Sequence, residues 1–149
     1  MFDELKESYL SKKELIEKRL SEFSKKKTDD ELFSELAFCL LTPQSKARNC
    51  WLSIEKLREK GLLYSNSVSI KPWLNTVRFC DNKSRYIEEA QGKFADVKKI
   101  LKKEPEEARE WLVKNIKGYG YKEASHFLRN VGITDFAILD RHILKNLKN

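Results

Sequence analysis

Ile116-Lys117-Gly118-Tyr119-Gly120-Tyr121-Lys122-Glu123-Ala124 is the stretch on which the fold turns. Before it, Ala108, Trp111 and Leu112 recur at helical spacing; after it, Ala124, Phe127, Leu128 and Val131 do the same. The pattern predicts a helix ending near Asn115, a tight hairpin, and a second helix beginning near Tyr121. Two glycines one residue apart suit such a hairpin because side chains would obstruct the turn. Where the second helix starts, unspent backbone N–H groups and the positive end of the helix dipole favour a phosphate. Gly-x-Gly alone fits a plain helix connector equally well. What sets this one apart is Lys122, which lies off the apolar stripe, with His126 one turn later.

Working outward, helix signals dominate. Ser11-Lys12-Lys13-Glu14 and Thr28-Asp29-Asp30-Glu31 both read as capping boxes that open helices. From Leu32 to Leu41 apolar residues cover most faces, which predicts a fully buried helix, and Thr42-Pro43 ends it. A further helix is expected from about Ser45 to Lys60, with Ala47, Cys50, Trp51, Ile54 and Leu57 on one face and Gly61 as its cap. Leu62 to Ile70 reads as a loop, and Pro72 opens a short helix. Tyr86, Ile87, Ala90 and Phe94 mark one helix, Val97, Ile100 and Leu101 a separate short one, and Pro105 opens the helix that runs into the hairpin. No strand-like alternation persists, so the fold class is all-α, a helical bundle.

Composition narrows the function without naming it. Of 149 residues, 36% are charged and 40% hydrophobic, an ordinary globular balance, and the formal net charge is +7. A basic chain suits a polyanionic partner, since neutralising phosphates releases counterions. Cys39, Cys50 and Cys80 have no metal-ligand spacing, and read as three reduced thiols with Cys39 buried. Two histidines, His126 and His142, without supporting carboxylates or thiols make no zinc site. No apolar run approaches the ~18 residues of a membrane span. A monomer in the cytoplasm, without membrane attachment, is the expectation.

The hairpin stretch resembles that of the helix-hairpin-helix DNA glycosylase superfamily, whose pattern is apolar-Pro-Gly-apolar-Gly-x-Lys-x-Ala. Lys122 falls on the superfamily's catalytic lysine; Lys117 stands where the pattern has proline. Leu139-Asp140-Arg141-His142-Ile143 matches the superfamily's Asp-before-His element, at its characteristic separation of 140 − 122 = 18 residues. The fuller run from Gly118 to Gly132, together with Ala137 to Leu144, is similar to the archaeal-type (second-type) 8-oxoguanine DNA glycosylases. Glu35 to Thr42, Arg78-Phe79 and Trp111 to Asn115 extend the likeness over nearly the whole chain. Residues 1–149 then form one glycosylase core with its helix-hairpin-helix at about 106–131. Family members continue past the Asp-containing helix, whereas this sequence stops at Asn149, so an incomplete second lobe is expected.

What the resemblance implies is bifunctional base excision on double-stranded DNA carrying 8-oxoguanine or abasic sites. The amine of Lys122 would attack the sugar C1′ and the Schiff base would permit β-elimination. Such an amine must be made nucleophilic by desolvation or neighbouring charge, for which Lys117, Arg129 and Arg141 are candidates. Asp140 would steady the positive charge growing on the sugar; it also fits the N-cap of the helix beginning at Arg141. Gly118 and Gly120 would approach the DNA backbone. A duplex base must be extruded before it can be cut. By similarity to endonuclease III-like glycosylases, Gln44 is the wedge, although turn chemistry before Ser45 explains it as well. Phe79 would lie against the flipped purine, and His126 would contact the lesion or line its pocket, unless each merely packs. Lys83 and Arg85 would meet phosphates. No cofactor is required on this reading, and the four-cysteine iron–sulfur signature of endonuclease III relatives is absent from the chain as given. A structural Na⁺, K⁺ or Ca²⁺ is implied on the main-chain carbonyls of Lys114, Ile116 and Tyr119. Association with the nucleoid follows. Two alternatives stay open: a non-catalytic DNA-binding module, and a glycosylase for a different damaged base.

Overall fold

The computed structural model describes residues 2–65 and 68–148, and within them every regular element is helical. In chain order these are α1 (Phe2–Phe23), α2 (Asp29–Leu41), α3 (Ala47–Glu59), a 3₁₀ turn (Lys71–Leu74), α4 (Cys80–Ile100), α5 (Pro105–Asn115), α6 (Tyr121–Asn130) and α7 (Arg141–Leu147).

The core is built around α2. Its start is the Thr28 capping box: the Glu31 N–H donates to the Thr28 hydroxyl at 3.2 Å and the Glu31 carboxylate accepts the Thr28 N–H at 2.8 Å. Phe33, Leu36, Ala37, Cys39, Leu40 and Leu41 are all essentially inaccessible, so the helix is apolar nearly all round and other elements cover it. α3, α4 and α6 supply that cover, and α5 packs on α4 and α6. Leu112 and Ala108 from α5, Ile87, Ala90 and Val97 from α4, and Ala124, Phe127 and Leu128 from α6 close one continuous core.

Two helices end by the same device. At α3, Gly61 N–H bonds the Arg58 carbonyl and Leu62 N–H the Leu57 carbonyl; at α6, Gly132 and Ile133 repeat the pattern onto Arg129 and Leu128. This is the Schellman closure, with a left-handed residue just past each helix. At Gly132 (φ +100°) a second reason for glycine is close approach, since a Cβ would lie 3.2 Å from the Phe23 carbonyl oxygen and the Ser24 Cα.

Three expectations are corrected. Ser11 does not open a helix: α1 runs unbroken from Phe2, and the Ser11 hydroxyl bonds back to the Ser8 carbonyl at 2.9 Å, the mid-helix alternative to capping. No residue of α1 is buried, and Leu15, Ile16 and Leu20 stand exposed at 71, 39 and 40%. The two helices expected between Tyr86 and Leu101 are one 21-residue helix, α4. Nothing in that stretch caps or breaks it, and Gly92, which weakens a helix by about 1 kcal/mol against Ala, lies on its exposed face between the buried Ala90 and Val97. Lys83 is buried rather than presented to solvent (4% exposed), as the site below requires. The expected loop across 62–70 contains no regular element among its described residues; residues 66 and 67 lie outside them. All three cysteines are free thiols, Cys39 fully buried.

Candidate active site at the hairpin

The hairpin is pinned from below. Gly118 has φ +93°, and a Cβ there would meet the Tyr86 ring at 2.6 Å and Leu40 at 3.1 Å, so only glycine fits. Tyr119 turns its side chain into the core and donates its hydroxyl to the Leu36 carbonyl of α2 at 2.8 Å. Gly120 is the N-cap of α6 in extended conformation. Its N–H is not free for a phosphate, contrary to the simple reading of the turn. The Glu123 carboxylate takes it at 2.9 Å, one half of a capping box.

Lys122 lies in the first turn of α6, off the buried stripe and a third exposed (33%). Its amine is 3.2 Å from the other oxygen of Glu123. Glu123 was singled out by no spacing in the sequence, yet it ties the hairpin to the candidate nucleophile. The signal available was its position three residues after Gly120, the N3 place of a capping box.

Asp140 is the N-cap of α7, as its place before Arg141 suggested. The same oxygen, Oδ1, accepts both the His142 and Ile143 N–H groups at 2.9 Å. The cap therefore leaves the second oxygen unused. Those backbone bonds hold the carboxyl below its usual range, and the positive charges of His142 and Lys122 add to the effect. The charge of Lys122, 18 residues earlier in sequence (140 − 122), is the smallest of these influences on Asp140.

Of the cations expected to tune Lys122, Lys117 points away, 3.5 Å from Glu89 and over the Tyr86 ring. Arg129 bonds the Asn130 side chain and lies over Phe23. Lys83, in the first turn of α4, turns its side chain away from solvent into the turn after α2. Its buried ammonium donates to the Leu41 carbonyl at 2.7 Å, the Pro43 carbonyl at 2.6 Å and the Ser45 hydroxyl at 3.1 Å. Burial lowers its pKa. Arg85 is exposed and bonds Asn82.

Gln44 and Phe79, the two candidates for handling the base, are exposed and share a backbone state. They are the only non-glycine residues with positive φ among those described, at 54° and 60°. An aromatic in core packing would not stand 52% exposed on a left-handed backbone, as Phe79 does. His126 is half-buried, its ring edge-on to Phe38 with centroids 5.7 Å apart. Burial is the main cause that pushes its pKa down to about 4, with Arg129 and Lys122 adding to it. It lines a cavity of about 530 Å³ together with Phe38, Trp51, Glu35, Arg48 and Arg129. The cavity floor is polar: Glu35 accepts the Asn130 side-chain amide at 2.8 Å, and burial raises its carboxyl pKa.

Lys114, Ile116 and Tyr119 sit where α5 turns into the hairpin. The Ile116 carbonyl already accepts the Tyr119 N–H at 3.0 Å, which leaves it one lone pair. The Lys93 ammonium bonds the neighbouring Asn115 carbonyl. Among the described residues no group of three or more His, Cys, Asp or Glu side chains could hold a metal ion, and no helix is long and apolar enough to cross a membrane.

Comparison with known proteins identifies the family. The family profile described as 8-oxoguanine DNA glycosylase matches residues 16–149. The 8-oxoguanine DNA glycosylase/AP lyase of Fusobacterium nucleatum is 44% identical over 98% of this chain, which spans 73% of that protein. The crystal structure of the Thermotoga maritima 8-oxoguanine DNA glycosylase superposes with a TM-score of 0.85 at 35% identity, covering 98% of this chain and 72% of that one. The Methanocaldococcus jannaschii 8-oxoguanine glycosylase/lyase, solved in complex with a 15mer DNA containing 8-oxoguanine, superposes at 0.77 with 41% identity, covering 91% and 67%. The chain belongs to the 8-oxoguanine DNA glycosylase family of helix-hairpin-helix proteins.

Proposed function

We propose that this chain excises 8-oxoguanine from duplex DNA and cleaves the abasic site that remains. The observation that carries the reading is the partly exposed Lys122 amine held 3.2 Å from the Glu123 carboxylate at the glycine hairpin, one turn of α6 from a cavity that can receive a base. Family membership supports the same activity.

In this reading the Lys122 nitrogen bonds to the sugar C1′ as the bond from C1′ to the base nitrogen breaks. The base leaves with the electron pair and takes up a proton. The carboxylate 3.2 Å from the amine, Glu123, is the nearest base for the proton the amine sheds. Positive charge gathers on the sugar in the transition state, and the Asp140 carboxylate, held ionised by its cap bonds, faces that charge. Ring opening gives a Schiff base. Loss of a C2′ proton then expels the 3′ phosphate, and water releases Lys122.

The extruded base enters the cavity lined by Phe38, Trp51 and His126, where a neutral imidazole sits among charged side chains, Glu35, Arg48 and Arg129, that can meet the polar edges of the base. Gln44 fills the gap in the duplex and Phe79 meets the base as it leaves the stack. Gly118 and Gly120 form the turn that carries the hairpin backbone to the DNA, and the N–H groups at the start of α6 other than that of Gly120 face the phosphate. A monovalent or divalent cation on the carbonyls of Lys114, Ile116 and Tyr119 would brace the turn. The spare lone pair of Ile116 fits that role.

Borohydride trapping on an 8-oxoguanine duplex tests the proposal. A covalent adduct that disappears in Lys122→Gln is expected. Salt-dependent binding with no adduct on any of a panel of lesions would instead mean a DNA-binding module, and an adduct on a different lesion alone would change the substrate.

A further inference from the structure

We infer that Lys83 and Ser45 form a buried hub that fixes Gln44 and Phe79 relative to one another, so that the two side chains enter DNA as one rigid two-pronged element. The inference rests on the function proposed above. Its observations are independent of the catalytic pair.

Gln44 and Phe79 lie 35 residues apart in sequence (79 − 44), on different turns, and both hold left-handed backbones that bulky side chains disfavour. Such conformations persist only where surrounding structure over-determines them. Here one small network does so for both. The Ser45 hydroxyl oxygen accepts the Arg78 N–H at 3.0 Å and the Lys83 ammonium at 3.1 Å. The same ammonium reaches the Leu41 and Pro43 carbonyls at 2.7 and 2.6 Å, on the chain entering Gln44. The Lys83 backbone N–H bonds the Phe79 carbonyl at 3.1 Å in the first turn of α4. Lys83 is therefore tied to the Gln44 turn through its side chain and to the Phe79 turn through its main chain, with Ser45 closing the circuit.

The ammonium has three protons and three acceptors, and only 4% of Lys83 is exposed. No carboxylate pairs with it among the described residues. For packing alone a methionine would serve, without the cost of burying a charge. A buried lysine spent entirely on one turn is a positioning residue, and the prongs it positions are those an extruding enzyme needs.

Lys83→Met keeps the apolar stem and removes the charge. Ser45→Ala removes only the bridge, and serves if Lys83→Met fails to fold. The assays are single-turnover excision from an 8-oxoguanine duplex, β-elimination on a duplex with a preformed abasic site, and 2-aminopurine fluorescence beside the lesion, which reports extrusion without chemistry. Each variant is expected to lose about tenfold or more in excision and in extrusion rate, and far less on the abasic site, where no base is extruded. Ser45→Thr should recover most of what Ser45→Ala loses, and the double variant should be little worse than either single. Equal losses on both substrates, or unchanged extrusion, overturn the hub. Wild-type protein that extrudes the base but neither excises nor cuts counts against the proposed function, and the fluorescence then still decides the hub.

Discussion

The Glu123 carboxylate bridges two parts of the site: one oxygen is 3.2 Å from the Lys122 amine while the other accepts the Gly120 N–H at 2.9 Å. A single side chain thus closes the hairpin and attends the amine. Glu123→Gln separates the two duties. The amide oxygen still accepts from Gly120, so stability should change by less than about 1 kcal/mol in urea denaturation. The amide cannot take a proton, so single-turnover excision should fall by about a hundredfold. An unchanged rate would leave Glu123 with capping alone.

Gly118→Ala has two separable costs. The left-handed backbone (φ +93°) disfavours any Cβ, and that Cβ would sit 2.6 Å from the Tyr86 ring. Together they should cost about 2–4 kcal/mol by chemical denaturation. Adding Tyr86→Leu relieves the clash and leaves the backbone term, so the double variant should regain roughly half. Full recovery would mean that φ carries no cost here.

The hairpin was legible in the sequence because its constraints are local: Gly118 and Gly120, the apolar stripes either side, and Asp140 before a short helix each declare themselves within a few residues. The same holds for the Thr28 box and Gly61. Lys83 was misread because its three partners lie about 40 residues upstream, and nothing about a lysine in a charged helix announces buried carbonyls. Ser11 was misread for the opposite reason. A capping box is a local pattern that an unbroken helix overrides, and the same hydroxyl simply turns back on the chain.

Asp140→Asn tests whether the cap and the chemistry part company. Asparagine caps about as well as aspartate, and the two bonds to Oδ1 from His142 and Ile143 survive the change. Thermal stability and lesion binding should hold nearly unchanged. Excision should slow by about 10²–10³-fold, because a neutral amide no longer answers the growing positive charge on the sugar. Fluorescence anisotropy for binding, beside single-turnover excision, separates the two. Excision at the wild-type rate would confine Asp140 to the cap.

His126 makes stability depend on pH in a predictable direction. Its pKa falls from 6.5 to about 4 on folding, chiefly by burial, with Arg129 and Lys122 opposing protonation and Glu123 favouring it. Above the unfolded value the ring is neutral in both states, and the associated stability is complete. As pH drops from 6.5 toward 4 the unfolded chain takes up a proton that the folded chain refuses, so stability falls through that window and levels off below it. His126→Asn keeps a polar side chain without a titrating ring, and so should flatten this component. The comparison to make is the difference in unfolding free energy between wild type and His126→Asn, followed from pH 7.5 to pH 4. It should shift against the wild type on acidification. A difference that stays constant across the window would show that the ring protonates as freely in the fold as outside it, and would remove the neutral imidazole proposed for the base cavity.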